Sequence, residues 1–161
     1  MDEINGLPAH PLLVHATVVL LPLAALALVL HVSWPAARRR LGVVTPILAL
    51  IGLILVPVTT SAGEALAAGL GPVGESAPVR RHEELAEQVL PWAIVLAVLA
   101  LLAWAWWRFE LRERLVGASL RVPADWVLRV LAVAAAVVLT VVLFRAGDAG
   151  ARATWEGVVT G

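Results

Sequence analysis

The chain has 161 residues, 61% of them hydrophobic and 15% charged, with a mean hydropathy of +0.91. Soluble domains are about half apolar and about a quarter charged, so this composition excludes an ordinary soluble fold, and the length fits a single domain over 1–161. Its 12 basic residues, all Arg, balance 12 acidic ones, which removes the basic footprint of nucleic-acid binding; the absence of Cys excludes disulfides, thiolate catalysis and cysteine-held zinc or iron–sulfur clusters.

Four segments have the roughly 20 apolar residues that a bilayer crossing needs, and none carries the periodic charged stripe of a soluble bundle helix. Before the first, Met1-Asp2-Glu3 lacks the cationic region of a cleaved signal, and Arg38 to Arg40 follow the apolar run instead, so a retained first helix is expected. That span runs from Leu12 to Val32 and opens on His10-Pro11-Leu12-Leu13-Val14-His15, with His10 expected as the N-cap and Pro11 at the first helical position. His31, beside Trp34, is assigned to the opposite interface without chemistry.

The second span, Leu41 to Val58, continues into Thr59-Thr60-Ser61-Ala62-Gly63 and ends on Glu64, which the helical rise places near the bilayer boundary. Pro22, Pro46 and Pro57 are expected to kink or start helices, with Pro57 freeing a backbone carbonyl ahead of the polar stretch. The third span, Val89 to Trp107, follows His82-Glu83-Glu84-Leu85-Ala86-Glu87, where His82, Ala86, Val89 and Ala93 share a stripe that turns His82 toward the bundle. The fourth, Trp126 to Phe144, precedes Ala146-Gly147-Asp148. Small residues at helical spacing, Ala93, Ala97 and Ala100 on one span and Ala132 and Ala136 on another, suit close helix packing. The expected fold is all-α, a polytopic four-helix transmembrane bundle.

Arginine counts set the expected orientation. Arg38, Arg39 and Arg40 follow span one, and Arg108, Arg112, Arg114, Arg121 and Arg129 surround the turn after span three; the other side holds Arg80, Arg81, Arg145 and Arg152. Both chain ends are therefore expected outside a bacterial cytoplasmic membrane. Trp34, Trp104, Trp106, Trp107 and Trp126 would mark the inner interface, Trp92 and Trp155 the outer. The halves share an order of events: outer His, apolar helix, Arg-rich turn, apolar helix, then Ala62-Gly63-Glu64 or Ala146-Gly147-Asp148. Such an order implies two parallel hairpins around an axis normal to the membrane.

Through His10-Pro11-x-x-x-His15, Thr60-x-Ala62-Gly63-Glu64, His82-Glu83 and the tail Gly147-Asp148-Ala149-Gly150-Ala151-Arg152-Ala153-Thr154-Trp155, the chain resembles the domain-of-unknown-function family twenty-two thirty-one. These are small bacterial membrane proteins, and the resemblance covers Gly6 to about Gly157. It implies a four-helix membrane fold and says little of activity. The family often carries His after the first tail glycine; here Asp148 stands there, and Ala149 replaces a common Ser.

With the expected topology, His10, His15, Glu64, His82, Glu83 and Asp148 all gather on the outer side. Ionisable groups at membrane depth are functional candidates because burying them is costly. Imidazoles with carboxylates suit a metal ion, and a b-type haem in a redox role would take His15 and His82 as its axial pair. The competing expectation is a non-catalytic scaffold or accessory subunit whose His and Glu cap helices, with a membrane protein or a second copy as partner. A third is a subunit of an oligomeric transporter. No Walker loop, nucleophile elbow, metalloprotease helix or dinucleotide motif occurs, so no enzymatic activity is indicated.

Overall fold

The computed structural model describes residues 3–4 and 7–155, with side chains from Ala9 onward; the two chain ends, expected outside, fall beyond the described residues. A short antiparallel pairing of β1 (Glu3–Ile4) with β2 (Leu7–Pro8) leads into seven α-helices: α1 Ala9–Ser33, α2 Pro35–Leu41, α3 Val44–Gly69, α4 Ala77–Glu87, α5 Val89–Arg108, α6 Leu111–Leu115 and α7 Arg121–Trp155. Four stretches, Ala9–Ser33, Val44–Gly69, Ala77–Arg108 and Ala118–Trp155, are long and apolar enough to cross a membrane. The chain is a four-span protein of the lipid bilayer.

The helices α1, α3, α5 and α7 form an up-and-down square, each packing on its sequence neighbours and α7 closing back onto α1, while α4 lies along α7. One end of the bundle carries His10 and His82 (the histidine end); the other gathers α2, α6 and their arginines (the arginine end). Its outer surface is apolar: Val19, Ile54, Val130 and Phe144 are 61–75% exposed, as hydrocarbon permits and water would not. Inside, Leu21, Leu28, Leu96 and Leu139 are fully enclosed, and Ala93, Ala97, Ala100, Ala132 and Ala136 are all buried, so the alanine spacings mark packed faces.

The helices run past the spans expected from hydropathy. The 35-residue α7 is about 50 Å long, against about 30 Å of hydrocarbon. Hydropathy registers only the lipid-embedded part, whereas the backbone ladder continues wherever packing supports it. The polar run Thr59 to Gly63 is accordingly helical, within α3. Pro46 sits in the first turn of α3, where its missing N–H costs little, while Pro22 and Pro57 lie inside continuous helices. The sharper break comes at Pro91: its ring and missing donor disrupt the bond to the Glu87 carbonyl, and the third span divides at Gln88 into α4 and α5. His10 is not an N-cap; α1 begins at Ala9, placing His10 and Pro11 in the first turn, where backbone N–H groups need no helical partner.

Where α1 and α3 approach, Gly52 leaves no room. A Cβ there would stand 2.8 Å from Cδ2 of fully buried Leu21. Gly52→Val is expected to destabilise the detergent-purified protein by about 1–3 kcal/mol, read as a lowered unfolding temperature. Adding Leu21→Ala should recover part of that loss, because it vacates the contested space.

Candidate functional site

At the histidine end each hairpin holds one imidazole in the same way. His10 on α1 places Nδ1 3.0 Å from the Thr59 carbonyl on α3, and His82 on α4 places Nδ1 2.9 Å from the Ala146 carbonyl on α7. A carbonyl only accepts, so Nδ1–H must donate in both rings, and each neutral imidazole keeps its lone pair on Nε2. One helical turn beyond each carbonyl stands a glycine against which the ring lies. A Cβ at Gly63 would meet His10 Cε1 at 2.9 Å, and one at Gly150 would meet His82 Cε1 at 3.0 Å. Carbonyl and glycine thus form a seat for one ring in each half.

The two rings face each other in an edge arrangement, their centroids 6.3 Å apart and their planes at 73°. Around them a cleft opens among all four spans, lined mainly by apolar groups including Val14, Val18, Val56, Val89 and Leu143. Its void is about 500 Å³ with the open mouth included. Below His10, Thr17 and Thr59 bridge α1 and α3 with their hydroxyl oxygens 2.8 Å apart in a buried contact. Each also lies within bonding distance of a carbonyl one turn back in its own helix, Leu13 or Leu55. One hydroxyl proton each means that one of these back-bonds yields when the bridge forms.

The remaining expected ligands lie elsewhere. His15 is exposed, and its Nδ1 bonds the Pro11 carbonyl of its own helix at 2.6 Å. Glu64 is exposed on α3 and Glu83 is half-buried on α4. Asp148 is exposed and pairs with Arg152 at 2.9 Å. Among the described residues, no group of three or more His, Cys, Asp or Glu is assembled to hold a metal ion. The six-residue set therefore contributes its two interhelical imidazoles as a unit, and the ring facing His82 is His10 rather than His15. The parts the sequence did not single out are Thr17 and the seat at Gly150. The two histidine seats match Gly63 with Gly150, three residues beyond the Gly147 that the Ala-Gly-acid likeness suggested.

The arginine end holds a second polar assembly. His31 is buried there, 2% exposed, with Nδ1 3.1 Å from the Thr45 hydroxyl and Nε2 unpartnered among the described residues. It faces the bundle interior at that end, where Thr45 and the Trp107 ring enclose it. Arg38 stacks its guanidinium 3.5 Å from the Trp107 ring centroid and donates to the His31 and Val32 carbonyls. Arg129 donates to the same Val32 carbonyl at 3.0 Å. Asp125 accepts from Trp106 Nε1 at 2.9 Å and pairs with Arg112 Nε at 3.0 Å. Burial foremost, then the charge of Arg129, lowers the Arg38 pKa from its ordinary value, with Asp125 opposing and Arg112 adding to the fall. Trp106 and Trp107 thus serve this assembly in addition to marking an interface.

Thr17→Val removes the hydroxyl bridge while keeping the side-chain shape. It is expected to destabilise the protein by about 0.5–1.5 kcal/mol, measured by thermal unfolding in detergent. Thr140→Val, whose hydroxyl bonds only the Ala136 carbonyl of its own helix, should change stability less.

No curated protein and no solved structure matches the chain. The family described as "Predicted membrane protein (DUF2231)" matches residues 6–161, which is nearly the whole sequence. With four spans and a match over nearly its whole length, the chain belongs to this family of membrane proteins.

Proposed function

We propose that this protein is a small membrane electron carrier that holds one b-type haem between His10 and His82. The observation that carries the reading is the spacing of two independently seated rings. Two imidazoles on opposite sides of one ion, each about 2 Å from it, have centroids about 6 Å apart once the ring radius is added. The rings here are 6.3 Å apart without any ion between them.

The donor set supports a tetrapyrrole over a free ion. A zinc-type ion held by protein takes three or four protein ligands, with carboxylates among them in many sites. Two imidazoles in an apolar cleft leave four equatorial positions to be filled, and a porphyrin brings four nitrogens of its own. An apolar cleft that opens among all four spans leaves the edge of a flat plate a way out between helices. The Nδ1–H bonds to Thr59 and Ala146 hold both Nε2 lone pairs available and fix the ring planes, which is the part second-shell acceptors play at metal-bound histidines.

His10 and His82 would hold the haem from both faces and leave no open site for substrate, and the chemistry it would supply is one-electron transfer with an external donor and acceptor. The arginine excess at the far end favours placing that end in the cytoplasm, which puts the histidine end on the outer side of a bacterial cytoplasmic membrane. Electron exchange would then take place with partners there.

The test is spectroscopic. Titration of the detergent-purified protein with haemin is expected to give a low-spin Soret band and, on reduction, sharp α and β bands. His10→Ala and His82→Ala should each abolish the low-spin spectrum, with added imidazole restoring it in part, while His15→Ala retains it. Gly63→Val and Gly150→Val should weaken haem binding about 10–100-fold by displacing the rings. A wild-type protein that gives only the spectrum of free haemin, or a His10→Ala protein with the wild-type spectrum, would defeat the reading.

A further inference from the structure

Independently of the haem reading, we infer that Arg38 and Arg129 form a binding site for a phosphate oxyanion at the arginine end of the bundle. The site follows from an imbalance of charge at close quarters. Both guanidinium groups donate to one acceptor, the Val32 carbonyl, at 3.3 Å from Arg38 Nη2 and 3.0 Å from Arg129 Nε. The two donor nitrogens therefore lie within roughly 6 Å of each other, where like charges repel unless an anion stands between them.

The two carboxylates of the assembly, Asp125 and Glu113, do not supply that anion. Asp125 spends one oxygen on Trp106 Nε1 and the other on Arg112. Glu113 pairs with Arg112 as well, at 3.4 Å, so both carboxylates are engaged there and, among the described residues, neither bonds Arg38 or Arg129, while Trp107 covers the face of Arg38. The lowering of the Arg38 pKa by burial and by Arg129 agrees with that crowding. A guanidinium offers five N–H donors in a planar fork. Arg38 uses Nε and one terminal nitrogen, and Arg129 uses Nε alone; among the described residues no acceptor meets Arg38 Nη1 or either terminal nitrogen of Arg129. Two forks held together by one carbonyl, each with terminal N–H groups still free, match the several oxygens of a tetrahedral phosphate better than a single-point anion.

The depth of the pair supplies the ligand. From Trp126, beside Arg129, to Ala146 at the histidine seat, α7 rises about 30 Å, the thickness of the hydrocarbon core. Arg129 and Arg38 consequently stand where phosphodiester headgroups of one leaflet lie, and basic sites at this level hold anionic lipid. Free phosphate from the adjoining water offers the same chemistry.

Unfolding temperature in dodecyl maltoside separates the sources. Phosphatidylglycerol is compared with phosphatidylcholine of the same chains, and, without lipid, sodium phosphate with sodium chloride at equal ionic strength. The expected result is a rise of about 4 °C or more with phosphatidylglycerol over phosphatidylcholine, lost for the most part in Arg38→Gln/Arg129→Gln and kept in Arg108→Gln. A rise with phosphate alone assigns the site to the free ion and still upholds it. Should the double glutamine variant fail to fold, Arg38→Lys/Arg129→Lys keeps the charges but not the forks and is expected to lose most of the rise. Equal temperatures in both comparisons for the wild type, or a rise undiminished in the folded double variant, would overturn the site.

Discussion

Hydrocarbon offers a helix no reward for turning an apolar side chain inward rather than outward, so helices that stay together in a bilayer do so by close approach and by polar contacts. Both devices are visible and are divided by depth. In the middle of the bundle, alanines on α5 and α7 and Gly52 on α3 let the helices approach closely around Leu21, Leu96 and Leu139. Toward the two ends, side chains reach from one helix to a backbone carbonyl or hydroxyl of another: His10 and His82 at one end, His31, Arg38 and Arg129 at the other. The histidine seats depend on the mid-bundle packing, because an imidazole spans from α1 to Thr59 only if the two helix axes are near.

The spans are readable because an apolar run of about 20 residues without a charge stripe suits a bilayer and little else. Element ends are less readable. A helix stops where caps or packing stop it, and Thr59 to Gly63 carry no signal that separates a polar coil from the last turns of a helix. The break before α5 is hidden for a similar reason. A proline two residues into an expected span, as Pro91 is, looks like a permitted start until the preceding His82 run is known to be helical too.

The candidate site is legible as a set of residue types on one side, and illegible as a pair. His10 and His15 differ by five positions, which on a helix turns them well apart, so only one can point at a given neighbour. Choosing between them requires knowing which face of α1 meets α3, and α1 is apolar all round. Thr59 and Gly63 on α3 make that choice in the fold: a carbonyl and a gap one turn apart receive the ring of His10, while His15 turns back onto Pro11. The seats for His10 and His82 are built on the same plan, although the sequence likeness at the ends of spans two and four points three residues away. Likeness of residues and likeness of role have drifted apart along α7, and only the position of a ring against a glycine restores the correspondence.

The four histidines also limit what kind of carrier the haem reading allows. His10 and His82 are committed to one axis at the histidine end, and His15 is exposed on the surface of the same end. At the arginine end His31 bonds Thr45 beside Trp107 and is the sole imidazole at that depth. A second bis-histidine centre therefore has no ligands, and the two haems with which a bundle could relay electrons from one face to the other are not both available. On that reading one haem near one boundary would make a carrier that gives and takes electrons on a single side of the bilayer. The opposite end would then be free of redox duty, and the phosphate site proposed for Arg38 and Arg129 would fix the bundle's depth against the headgroups.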